Sequence, residues 1–62
     1  MKRIWLIEKR KSKFRTQREL AKLLGVTHQA VNNWEMGHSL PNKTIMPKLC
    51  DILKITPKRF YE

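Results

Sequence analysis

The sequence predicts an all-α fold of about five helices in one compact domain, and three observations carry that expectation. Apolar residues recur at helical spacing, as in Leu20, Ala21, Leu23 and Leu24, and no stretch reads as a strand. Gln17 to Met36 (QRELAKLLGVTHQAVNNWEM) divides at Gly25 into two short helices. At 62 residues the chain has room for one small core, burying only about 60% of its unfolded surface. Cys50 is the only cysteine, so no disulfide framework helps, and no Cys/His spacing suggests a zinc site. The core must therefore come from helix packing.

The first helix is expected from roughly Lys2 to Lys11, with Ile4, Leu6 and Ile7 inward, Trp5 open between inside and outside, and Lys9, Arg10 and Lys11 in a last turn that suits cations. Ser12 to Arg15 reads as a linker in which Phe14 plugs the chain back onto the core. Thr16 with Glu19 three residues later has the capping-box pattern, opening the second helix. Gly25 permits a left-handed backbone, Val26 fills the inside of the turn, and Thr27 caps the third helix. Two helices crossing over so short a turn approach closely, which explains the small Ala21. Gly37 ends the third helix, and His38 to Asn42 form a loop. A fourth helix is predicted from near Thr44, where Pro47 is tolerable in the first turn, with Ile45, Leu49, Ile52 and Leu53 as its stripe. Thr56-Pro57 starts the fifth, leading to Phe60 and Tyr61.

The third helix has two chemically opposite faces. With side chains about 100° apart, Ala30, Val31 and Trp34 share one arc, and His28, Gln29, Asn32, Asn33 and Met36 the other. The second arc is rich in groups that both donate and accept hydrogen bonds, the chemistry that reads base edges in a major groove. Charge points to the same partner. The chain holds 14 Lys+Arg against 5 Asp+Glu, net +9, which suits a polyanion. Residues 1–22 carry nine basic and two acidic side chains, and residues 43–62 carry five and two. Residues 23–42 carry no Lys or Arg and one Glu. Cations on the flanks would neutralise phosphates while the amide face sorts base pairs.

The run TQRELAKLLGVTHQAVNNWEMG resembles the helix-turn-helix of the phage repressor and Cro class (XRE-type), and KLCDILKITPKRFY resembles the two helices that follow it there. Ala21, Gly25, Val26, Val31 and Trp34 fall where that hinge requires them. The resemblance implies a lambda-repressor-like five-helix domain over 1–62 with the paired helices at about 17–36. It also implies a bacterial or phage transcription regulator in the cytoplasm, a repressor in function and commonly a homodimer on a palindromic operator. Residue by residue, it implies base contacts from His28, Gln29, Asn32 and Asn33, and phosphate contacts from Gln17 and Thr27. The loop residues His38, Ser39, Asn42 and Lys43 are expected on one phosphate strand, and Lys13, Arg15 and Arg18 near the other. Arg10 and Glu35 match a partly buried salt bridge. Departures from the family pattern are Phe14, Arg15, His28 and Lys54, the last where glycine often ends the fourth helix.

Each cation also has the plainer reading of a solubilising charge, and Trp5, Phe60 and Tyr61 are divided between core and a dimer contact. An alternative function is an antitoxin-type interaction module docking through those aromatics, with DNA binding secondary. Non-specific RNA binding fits the charge but not the uncharged amide face. An enzyme is disfavoured, because two histidines, one cysteine and five scattered acids offer no nucleophile, base and orienter at workable spacing. No metal, cofactor or small-molecule ligand is expected. The longest apolar run, Ile4 to Ile7, is far too short for a membrane span of about 20 residues, and no signal peptide is visible. With no ligand-sensing segment in the sequence, regulation by concentration alone is the simplest expectation; the equal alternative is that the chain is an isolated DNA-binding fragment of something longer.

Overall fold

The computed structural model describes residues 1–61 and shows four α-helices, α1 (Ile4–Lys13), α2 (Gln17–Leu24), α3 (His28–Met36) and α4 (Ile45–Leu53), closed by a 3-10 helix over Pro57–Tyr61. No strand occurs among the described residues. The fifth element is thus a 3-10 turn and not the predicted α-helix. Its hydrogen bonding starts with Arg59 N–H donating to the Thr56 carbonyl at 3.1 Å, three residues back, in a segment too short to add α-helical turns.

α1 begins later and ends later than expected, taking in Ser12 and Lys13 before Phe14 turns extended. Its inward stripe is Leu6 and Arg10, four residues apart. Ile4, expected inside, is 55% exposed, since two residues place it about 200° around the helix from Leu6. Leu23 is likewise 60% exposed, about 100° from the centre of the stripe that Leu20, Ala21 and Leu24 make on α2. Phe14 packs partly buried against the core, the plug its isolation among charges suggested.

The hinge is built from local chemistry. Thr16 Oγ1 accepts from Glu19 N–H at 3.2 Å, and Glu19 Oε1 accepts from Thr16 N–H at 2.9 Å, a complete capping box. α2 stops at Gly25, in the left-handed region at φ 71°, where Val26 N–H donates back to the Ala21 carbonyl at 3.0 Å. Thr27 Oγ1 caps α3 by accepting from Ala30 N–H at 3.2 Å. Gly37, at φ 81°, ends α3 in the same way, and a Cβ there would collide with the Met1 carbonyl.

α4 starts beside Thr44, as expected. Thr44 does not cap it: Asn42 does, its Oδ1 accepting from Thr44 N–H at 3.0 Å and Ile45 N–H at 2.8 Å. Pro47 then falls among first-turn positions where a missing amide leaves no helical bond unmade. At the other end Lys54 adopts the left-handed conformation, φ 57°, with Ile55 N–H donating to the Cys50 carbonyl at 3.0 Å. The helix end thus keeps the glycine-type geometry despite a side chain.

Leu6, Leu20, Val31, Leu49 and Leu53 are essentially inaccessible, and Trp34, Met46, Cys50 and Phe60 complete the core around them. The N-terminal segment is held by Arg3. Its N–H donates to the Glu35 carbonyl at 2.7 Å, and Nη1 donates to the carbonyls of Trp34 at 2.6 Å and Ser39 at 3.0 Å. Its guanidinium also lies 5.4 Å over the Phe60 ring, which meets Trp5 edge to face at 5.0 Å, while Arg59 lies 5.1 Å over Trp5. Arginine and aromatic side chains so interleave, joining both ends of the chain to the end of α3.

Candidate nucleic-acid interface

α3 owes its outward face to what it buries. Val31, Trp34 and Glu35 turn inward, so His28 and Gln29 stand exposed and Asn32 and Asn33 half-buried on the other side. Glu35, the one charged residue between positions 23 and 42, is 1% exposed. Arg10 answers it with Nε to Oε2 at 2.5 Å and Nη2 to Oε1 at 3.4 Å, and neutralises it inside the molecule. The exposed face is therefore free of acids and of Lys or Arg. A fixed surface carboxylate there would repel a phosphate backbone; buried and paired, it cannot.

Two amide pairs organise that face. Gln29 Nε2 donates to Asn33 Oδ1 at 3.4 Å, one turn on and exposed. Gln17 Nε2 donates to Asn32 Oδ1 at 3.1 Å and to Glu35 Oε1 at 2.9 Å. The side-chain donors of Gln17, predicted as a phosphate contact, are thus turned into the protein, and its backbone N–H at the start of α2 is the donor it has for an anion. Met36, on the outer arc by angle alone, is half-buried at the rim of the core.

The predicted phosphate contacts fall into separate groups. Arg15 and Arg18 are exposed, and Arg18 lines a cleft of about 290 Å³ with Lys22, Thr27 and His28 at the hinge. Lys22 is a cation the sequence reading left out of the interface, although its spacing of four from Arg18 puts both on one side of α2. His38, Ser39 and Lys43 are exposed in the loop after Gly37, with the Ser39 carbonyl holding Arg3. Asn42 has its Oδ1 committed to capping α4, so only the amide nitrogen of its side chain is left for another partner. Lys13 donates from Nζ to the Ile52 carbonyl at 3.0 Å, a cation at the C-terminal end of α4 where the helix dipole favours it. It joins α1 to α4 and does not join the hinge cluster. Arg10 is buried and also donates from Nη1 to the carbonyls of Phe14 at 3.4 Å and Arg15 at 3.3 Å. It therefore leaves the count of surface cations.

Of the three aromatics divided between core and docking surface, Phe60 is buried, Trp5 is half-buried against it, and Tyr61 is 70% exposed. Cys50 is buried, and burial pushes its thiol pKa up, the behaviour of a packing residue and not of a nucleophile. Among the described residues no group of His, Cys, Asp or Glu is placed to hold a metal ion, and no helix is long and apolar enough to cross a membrane.

A family profile described as helix-turn-helix matches residues 6–60. No curated protein and no solved structure gives a match. With the profile spanning α1 to the 3-10 helix, and with the hinge, its caps and an uncharged outer α3 face in place, the chain belongs to the XRE-type helix-turn-helix family of DNA-binding transcription regulators.

Proposed function

We propose that the protein is a Cro-like repressor that reads an operator as a homodimer, laying α3 in the major groove. The observation that carries this reading is the exposed, uncharged face of α3, whose acid is buried against Arg10 while cations stand on either side. His28, Gln29, Asn32 and Asn33 are the proposed base-reading residues, with Gln29 first among them, since a glutamine amide pairs with adenine through two hydrogen bonds. Arg15, Arg18, Lys22 and Lys43 are proposed to hold phosphates, together with Thr27, His38 and Ser39 and the backbone N–H of Gln17. Lys13 and the side chain of Asn42 are the least supported of the phosphate contacts expected from the sequence.

Size favours two copies. The longest extent of the fold is 26 Å, against about 34 Å between successive major-groove faces on one side of a duplex. One copy cannot reach both faces, and a lone module of this kind would bury only about 600–1,000 Å² on DNA. Two copies so placed near a promoter would exclude polymerase.

Selection of bound sites from random duplexes tests the reading. The expected result is two inverted half-sites with centres one helical turn apart, together with loss of affinity in Gln29→Ala at unchanged melting temperature. Absence of any enriched sequence, or a Gln29→Ala chain that binds as well as the parent, would sink it.

A further inference from the structure

We infer that Gln17 is a positioning residue that sets the polarity of Asn32, so that α3 presents a hydrogen-bond donor and no acceptor at that position. The inference rests on the reading of α3 as the groove-reading helix and adds to it which base edges Asn32 will take.

The argument starts in the core. The Glu35 carboxylate is an acceptor only. Arg10 occupies Oε2 closely and reaches Oε1 at 3.4 Å, and Gln17 approaches the same Oε1 at 2.9 Å. An amide rotated by half a turn would bring its own oxygen against that oxygen, two acceptors face to face. Gln17 must therefore keep Nε2 inward. The same nitrogen has a second hydrogen, and that one meets Asn32 at 3.1 Å. Asn32 must in turn direct Oδ1 toward Gln17, which leaves Nδ2 on the other side of its planar amide. Among the described residues no buried side-chain nitrogen or oxygen lacks a partner, so Nδ2 reaches solvent at the outer face of α3. A charge pair in the interior thus decides, through two amides, which end of Asn32 faces out.

Gln29 and Asn33 differ in kind. Their bond is 3.4 Å long, exposed, and tied to no buried charge, so that both amides can reverse together. The outer face then combines one fixed donor with one adaptable pair. A fixed donor can meet guanine O6 or N7, adenine N7 or thymine O4, and is repelled by the amino group of cytosine. Asn32 should therefore exclude cytosine from the strand edge it faces, whereas Gln29 and Asn33 can adjust to either polarity.

The test compares site preferences of the parent chain, Gln17→Met and Asn32→Asp by selection from random duplexes, alongside side-chain amide signals in ¹⁵N-resolved spectra without DNA. In the parent, one base pair per half-site is expected to disfavour cytosine by about tenfold. Gln17→Met frees Asn32 to reverse, and should reduce that discrimination to about twofold or less. Asn32→Asp retains an acceptor for Gln17 but no donor, and should lose the same discrimination. Undiminished discrimination in either variant overturns the proposal. So does a Gln17→Met chain weakened equally on every duplex, which is what a purely structural loss would produce. Without DNA, Gln17→Met should displace the Asn32 amide signals and leave those of Gln29 and Asn33 in place. Unmoved Asn32 signals overturn the relay even if no duplex is bound, whereas moved signals without duplex binding uphold the relay and sink the groove-reading function instead.

Discussion

At the scale of single residues, Lys54 and Cys50 each carry a defined cost. Lys54 holds a left-handed backbone at φ 57°, a conformation that costs an ordinary L-residue about 1–2 kcal/mol. Glycine has no such penalty but loses more chain entropy, about 0.5–1 kcal/mol. Lys54→Gly is therefore expected to stabilise the fold by about 0.5–1 kcal/mol, measured by urea denaturation at constant m-value. The departure from family pattern was visible in the sequence, but its conformation was not, because a lysine can also end a helix without turning left-handed. For Cys50, burial raises the thiol pKa above its ordinary value, so folding favours the neutral thiol. Its contribution is complete below the ordinary thiol range and is lost as pH rises through the raised value. Cys50→Ala should flatten the alkaline limb of the stability curve relative to the parent, and identical alkaline limbs would refute the assignment.

At the scale of elements, helix ends decide more than helix middles. The capping box at Thr16, the hinge at Gly25 and the cap at Thr27 each involve residues no more than five positions apart, which is why the sequence alone reveals them. α4 illustrates the limit. Both Asn42 and Thr44 are competent caps, and choosing between them requires the backbone path of the preceding loop, which Arg3 helps to hold through the Ser39 carbonyl. Asn42→Ala should accordingly cost about 1 kcal/mol in thermal or urea unfolding, and Thr44→Ala only a few tenths. Between elements, the Arg10–Glu35 pair fastens α1 to α3 inside the core. Removing one partner strands a buried charge, at about 3–5 kcal/mol. A chain of 62 residues has total stability of about 3–9 kcal/mol, so Glu35→Ala should remove a large part of it and lower the melting temperature sharply. The double change Arg10→Met with Glu35→Leu should recover most of that loss, as read by circular dichroism melting.

For the whole molecule, charge and shape act together. Cations distributed around the uncharged outer face of α3 predict DNA binding whose log affinity falls by about 0.9 per phosphate neutralised as log salt rises. Titrations of duplex binding across salt concentration should give a steep line, shallower by about one contact in Arg18→Ala, and a flat line would count against phosphate binding altogether. Periodicity, cap residues and the glycine at the hinge are local chemistry, which is why all-helical architecture, the α2–α3 hinge and the outer arc of α3 were legible from the order of amino acids. The inward turn of Gln17, the exposure of Ile4 and Leu23, the capping role of Asn42 and the place of Arg3 and Lys13 were not. Each depends on which groups distant in sequence come within about 3 Å of one another or which arc of a helix meets the core, and a linear pattern contains no such distances. The amino-acid order by itself determined that α3 carries an uncharged amide face; the packing of α1 and α2 on α3 decided which way Gln17 and Asn32 point, because a buried carboxylate accepts and never donates and so imposes a direction on an amide that would otherwise turn freely.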